Sequence, residues 1–148
     1  MRELKRIGET CGLGDVRTFI ASGNLLFTST LGESEVGARI ENELEAYFGK
    51  AVPVFVRSAD EIAATVADNP FVDDKPSRVM AHFIADPPVQ AMIGAARDIA
   101  GERLALGPRC IYVSYGEGIG KTRLKLPAVK QGTARNMNSV ARIAAMLA

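Results

Sequence analysis

The sequence predicts an α+β fold built from two related α/β plaits. Three observations carry this: apolar residues switch repeatedly between helical and alternating spacing, the element order αββαβ in the first third is followed by βαββα, and the 148 residues contain no low-complexity linker. With 47% apolar residues, a chain of this length hides about 70% of its unfolded surface, enough for a core without disulfides or metals.

Leu4, Ile7 and Cys11 repeat at helical spacing, and Gly12 supplies the left-handed conformation that ends such a helix. Val16 to Ala21 and Leu25 to Ser29 read as strands around Ser22, Gly23 and Asn24, a tight hairpin connection. Val36, Ile40, Leu44 and Phe48 form one helical stripe, with Glu33 and Glu35 at its positive end and Gly49 beyond it. Val52, Val54 and Val56 alternate as in a strand, and Pro53 assigns that strand to a sheet edge because it has no N–H to donate. These elements define a first domain over residues 1–57.

The second domain, 58–148, opens with a helix capped by Ser58 and stopped at Asn69-Pro70. Val79 to Ala85 predicts a strand, and Pro87 or Pro88 opens a helix through Ile99. Glu102 to Leu106 and Cys110 to Tyr115 form a second hairpin. Two C-terminal helices are expected, over Lys121 to Gln131 with Pro127 inside it, and over Asn138 to Leu147.

Four stretches resemble signatures of the domain-of-unknown-function (DUF) 1697 family. They are Asp15-Val16-Arg17-Thr18 leading to Ser22-Gly23-Asn24, Asn69-Pro70-Phe71, Gly118-Ile119-Gly120-Lys121, and Thr133 through Ser139. The resemblance implies two tandem ferredoxin-like α/β plaits, the first being βαββαβ, to which the pattern above adds the C-terminal helices. Members of the family usually begin with an apolar strand and a glycine-rich turn, whereas this sequence begins at the helix. The first plait is therefore expected to lack its initial strand, with Met1 an alternative start and dimerisation or strand exchange filling the gap. Met137 stands where the family commonly has tryptophan. The resemblance brings no established activity, and any cofactor is unknown.

Charge narrows the function classes. Eighteen Lys and Arg against 17 Asp and Glu exclude a global electrostatic drive toward nucleic acid or membrane. No apolar run approaches a membrane span or signal peptide, so a cytoplasmic protein is expected. Cys11 and Cys110 match neither a metal motif nor a disulfide framework and read as reduced, buried thiols. Residues 117–148, however, carry six cations against Glu117, a net of +5, while the other 116 residues hold 12 cations and 16 carboxylates, a net of −4. That asymmetry marks an anion or nucleic-acid site, or simply basic residues solvating terminal helices.

Gly116 to Thr122 follows a strand, but a phosphate-binding P-loop needs glycine five residues before the Gly-Lys pair, and that position is Tyr115. The remaining readings are a turn that aims backbone amides and Lys121 at an anion, or a plain hairpin exit. The candidate ligand-binding set is Lys121, Arg123, Arg135, Asn136 and Asn138, with Ser22, Gly23 and Asn24 as an opposite wall. Asn138 alternatively caps the last helix, and Ser22 to Asn24 make a good turn without any ligand. His82, on the face of Met80 and Ile84, reads as a core histidine because no partner completes a catalytic or metal set. Glu41, Glu43 and Glu45 form a wet helix face, and Asp73 and Asp74 lack metal-ligand spacing. The expected partner is a phosphate-bearing or other anionic small molecule. One alternative is an RNA- or DNA-binding plait, for which Leu25 to Ser29 supplies only Phe27 as a stacking aromatic; another is an enzyme whose acid and base come from distant loops.

Overall fold

The computed structural model describes residues 2–19, 23–116 and 119–148, which form two compact units dividing between Arg57 and Ser58. The fold is α+β, with two separate sheets.

In the first unit, helix α1 (Arg2–Thr10) leads to strands β1 (Gly14–Phe19) and β2 (Asn24–Thr28) and then to helix α2 (Glu33–Phe48). Gly12 lies at φ 82° after α1, and Gly49 at φ 74° closes α2 by donating its N–H to Glu45. β1 and β2 are antiparallel, with Arg17 opposite Leu26, and the ladder slips between Gly14 and Arg17. The slip leaves Asp15 at φ 46° and surrounds a cleft of about 360 Å³ with Asp15, Val16, Arg17, Phe27 and Thr28. The signature around Asp15 is thus a β-bulge, an extra residue that bends its strand.

One expectation fails in this unit. Val52 to Val56 carry no ladder, although Val52, Val54 and Val56 pack on the core of Ile7, Cys11, Leu13, Val16, Val36, Ile40 and Leu44. The alternation reflects burial of one side, while the backbone bond it implied is replaced at Val54, whose N–H donates to the Glu41 carboxylate at 3.3 Å. Cys11 is buried as expected, and burial pushes its thiol pKa up.

In the second unit, helix α3 (Ala59–Ala67) begins with a reciprocal cap: Ser58 accepts from the Glu61 N–H and the Glu61 carboxylate accepts from the Ser58 N–H. Asn69 accepts from the Phe71 N–H at 2.9 Å, so the Asn69-Pro70-Phe71 signature is a side-chain-closed turn. Strands β3 (Val79–Phe83), β4 (Arg103–Leu106), β5 (Cys110–Ser114) and β6 (Thr133–Asn136) form an antiparallel sheet in the order β4-β5-β3-β6. β6 is a strand the sequence pattern missed. The helix expected through Ile99 is only α4 (Gln90–Gly94), and the one expected over Lys121 to Gln131 is two short 3-10 turns, Ile119–Lys121 and Pro127–Val129. Pro127 starts the second turn, where its missing N–H is harmless. The last helix, α5 (Met137–Leu147), buries Met137, Val140 and Ile143.

The two sheet faces are covered differently. Ala81 and Tyr112 are opposite each other on one face, and the Tyr112 hydroxyl bonds to α3. Ile84, Ile111 and Val113 form the opposite core with Met92 and Ile93 of α4 and with Leu124, Leu126, Ala128 and Val129. Residues 119–132 are therefore a strap across the second face.

Candidate functional site

The strap decides where the basic residues point. Lys121, Arg123 and Lys125 are exposed, while Thr122, Leu124 and Leu126 between them are half-buried or buried. From Thr122 to Leu126 this alternation with a period of two is that of an extended chain, spacing Arg123 and Lys125 by about 7 Å, while Lys121 ends the preceding 3-10 turn. Leu124 and Leu126 hold the chain against the sheet core, and the Thr122 hydroxyl donates to the Glu102 carboxylate at 2.6 Å. That bond, followed by the Ala100 N–H, holds the Glu102 carboxyl below the usual carboxylate range. It is the acid adjoining the strap, and it is held ionised, the wrong state for a proton donor.

At Lys125 the strap makes an isolated two-residue bridge. Arg97 donates its N–H to the Lys125 carbonyl at 2.8 Å, and Lys125 donates back to the Arg97 carbonyl at 2.9 Å. Residues paired in this way project from the same side with Cβ atoms ~5 Å apart. Arg97 and Lys125 are both exposed, so two cations stand side by side, with Arg123 next along the strap. Arg97 was missed in the sequence because it falls in the expected helix through Ile99. α4 instead ends at Gly94, and Asp98 at φ 57° bends the chain just beyond Arg97.

The other expected site residues are dispersed. Arg135 lies opposite Ala81, on the face carrying Tyr112, so Lys121 and Arg123 do not share a sheet face with it. Arg135 donates to Thr133 Oγ1 at 2.6 Å and to the Ala134 carbonyl at 2.8 Å, and burial lowers its pKa. Asn136, rather than Asn138, caps α5, accepting from the Ser139 N–H at 2.9 Å; Asn138 is exposed in the first turn. In the first unit, Gly23 has φ 70° and Asn24 Nδ2 donates to the Phe19 carbonyl at 3.4 Å, a turn geometry. Ser22 and Gly118 lie outside the described residues.

Two polar clusters elsewhere in the second unit are structural in their bonding. Arg103 pairs with Asp73 at 3.0 Å and Asp74 at 2.7 Å and lies 4.7 Å over the Phe71 ring, while Ser114 bonds to Asp74. The Ser114 hydroxyl and then Arg103 hold the Asp74 carboxyl low. His82 Nε2 meets the Tyr115 hydroxyl at 3.1 Å in a half-buried pair, and burial pushes the histidine down to about 4. No group of three or more potential metal ligands occurs among the described residues. No helix among them is long and apolar enough to cross a membrane.

Comparison with known proteins agrees with this architecture. A solved structure, of the conserved bacterial protein SP0830 from Streptococcus pneumoniae, superposes with a TM-score of 0.81 at 23% identity, covering 100% of this chain and 88% of that one. At that identity the likeness concerns the fold. No curated protein matches the chain. The family described as "Protein of unknown function (DUF1697)" matches over residues 1–112, three quarters of the length, and the chain belongs to that family.

Proposed function

We propose that the chain binds phosphate-bearing or other anionic small molecules at the strap, with Arg97, Arg123 and Lys125 as the principal contacts and Lys121 at one end. The observation that carries this reading is the bridge of Arg97 to Lys125. Like charges directly opposite each other are destabilising, and a bound anion turns that repulsion into attraction. The strap itself adds cations and no carboxylate, since Lys121 through Gln131 contain none, while the neighbouring carboxylates are exposed Asp98, next to Arg97 in the chain, and Glu102, which is engaged by Thr122. The same reading takes the second unit as a ferredoxin-like plait. Its support is the sheet order, which in chain order within the unit is fourth, first, third, second when read from β6, with α4 as one crossover and the strap in place of the other.

A second reading, binding of a single-stranded nucleic acid, is favoured by the succession of exposed Arg123 and Lys125 along an extended stretch with Lys121 just before it, an arrangement that suits a chain of phosphates as well as one. Thermal melts separate the two. Phosphate or a phosphorylated metabolite should raise the Tm of the wild type, with sulfate competing, and Arg97→Ala or Lys125→Ala should remove the rise while Arg135→Ala keeps it. A response to oligonucleotide but not to phosphate selects the second reading. An undiminished phosphate response in both strap variants rejects the site.

A further inference from the structure

We propose that the cleft at the β1 bulge binds a small zwitterion with an apolar body, the chemistry of a free α-amino acid with a large apolar side chain. The cleft, of about 360 Å³, is lined by Asp15, Val16, Arg17, Phe27 and Thr28. Small-molecule sites commonly enclose about 300–1,000 Å³. Gly14 pairs with Thr28 and Arg17 with Leu26, so Asp15 and Val16 together stand opposite Phe27 alone. The extra residue interrupts the ladder where the cleft lies. The site belongs wholly to the first unit and is independent of the strap.

A carboxylate stands where such a bulge favours glycine. Asp15 has φ 46°, and a bulge whose first residue is left-handed ordinarily takes glycine there, which has no Cβ to strain. Aspartate tolerates this conformation better than most residues and adds a charge. Asp15 is exposed, and among the described residues its carboxylate has no hydrogen-bond or ion-pair partner. Arg17, exposed two residues on, supplies the opposite charge. Between them the lining is apolar: Val16 is buried, and half-buried Phe27 packs on the same core. The charges select the ligand. A cation alone meets Asp15 but is repelled by Arg17, and an anion alone meets Arg17 but is repelled by Asp15. Ammonium and carboxylate on one carbon satisfy both, and a large apolar side chain then covers Val16 and the Phe27 ring. Thr28, exposed in the same lining, adds a hydroxyl able to donate to the ligand carboxylate.

The probe is L-phenylalanine, set against phenethylamine, which lacks the carboxylate, and 3-phenylpropionate, which lacks the ammonium group. Added to the full chain at millimolar concentration, L-phenylalanine should raise the Tm and shift the amide NMR signals of Val16, Arg17 and Thr28. Either analogue should bind about tenfold or more weakly, the loss expected for one charged hydrogen bond. Asp15→Asn keeps a side chain suited to positive φ, so it should stay folded and lose L-phenylalanine binding by a similar factor. Asp15→Gly should keep the bulge and lose binding as well, which separates the carboxylate from the backbone shape. Three results overturn the proposal: no amide shift at millimolar L-phenylalanine, equal binding of either analogue, or undiminished binding by folded Asp15→Asn or Asp15→Gly.

Discussion

The Tyr112 hydroxyl donates to the backbone carbonyl of Thr65 at 2.6 Å, joining the middle of β5 to the last turn of α3. At the end of that helix Asp68 N–H turns back to Ala64 and Asn69 N–H to Val66, so the tyrosine meets a carbonyl these bonds leave aside. Tyr112 is fully buried, and burial drives its pKa upward, which keeps it a donor at all ordinary pH.

Tyr112→Phe should therefore cost about 1–3 kcal/mol, because it keeps the ring and strands a buried carbonyl. Tyr112→Ala should cost about 3–5 kcal/mol by adding a cavity at the centre of the sheet. Urea unfolding measures both. A Tyr112→Phe variant as stable as the wild type would mean that the hydroxyl contributes nothing.

His82 gives the fold a defined acid sensitivity. Its pKa falls from 6.5 to about 4 through burial, so between those values the unfolded chain binds the proton that the folded chain refuses. The stabilisation is complete above pH ~6.5 and lost as pH falls toward ~4, and a shift of this size corresponds to roughly 3 kcal/mol. As the chain has one histidine, His82→Gln should flatten that part of the stability profile relative to wild type. Parallel profiles for the two proteins from pH 7.5 to 4.5 would contradict the assignment.

The outcome at particular residues explains what the sequence makes legible. The stripe Val36, Ile40, Leu44 announces α2 because one face of that helix is buried, and Ser58 announces α3 because its cap is local. Val52 to Val56 display a strand's alternation without a ladder, since periodicity records burial and not the identity of a backbone partner. The strap fails for a related reason: Leu124, Ala128 and Val129 fit helical spacing by chance, while contact with Ile84, Ile111 and Val113 selects an extended path broken by Pro127. Within the candidate site, Lys121 and Arg123 were visible as charge. The pairing of Arg97 with Lys125 was not, because it spans 28 residues and depends on where α4 stops.

Two glycines near the strap should respond oppositely to alanine. A Cβ on Gly132 would collide with the Phe83 carbonyl oxygen at the start of β6, against a backbone that cannot step aside. Gly120 has open space around its Cβ position and no positive φ. Gly132→Ala should cost about 2 kcal/mol or more by strain, whereas Gly120→Ala should stay within about 0.5 kcal/mol of wild type. Thermal melts decide it, and a tolerant Gly132 would require β6 to shift along β3.

The opposed cations make a prediction in the absence of any ligand. If Arg97 and Lys125 repel across their bridge, raising sodium chloride from low concentration should stabilise the protein by screening, since the Debye length drops to ~10 Å at 0.1 M. Lys125→Glu converts the pair to opposite charges and should stabilise the low-salt protein by about 0.2–1 kcal/mol, the range for cross-strand charge pairs. The same substitution should abolish the phosphate-induced rise in Tm, because an anion then meets a carboxylate where it met an ammonium group. Lys130→Glu serves as the control, being another exposed cation outside the bridge and changing net charge by the same amount. If both substitutions stabilise alike, relief of general charge repulsion is the cause and the bridge has no special role. If Lys125→Glu alone stabilises the protein and alone loses the phosphate response, the repulsion between Arg97 and Lys125 is what the anion relieves.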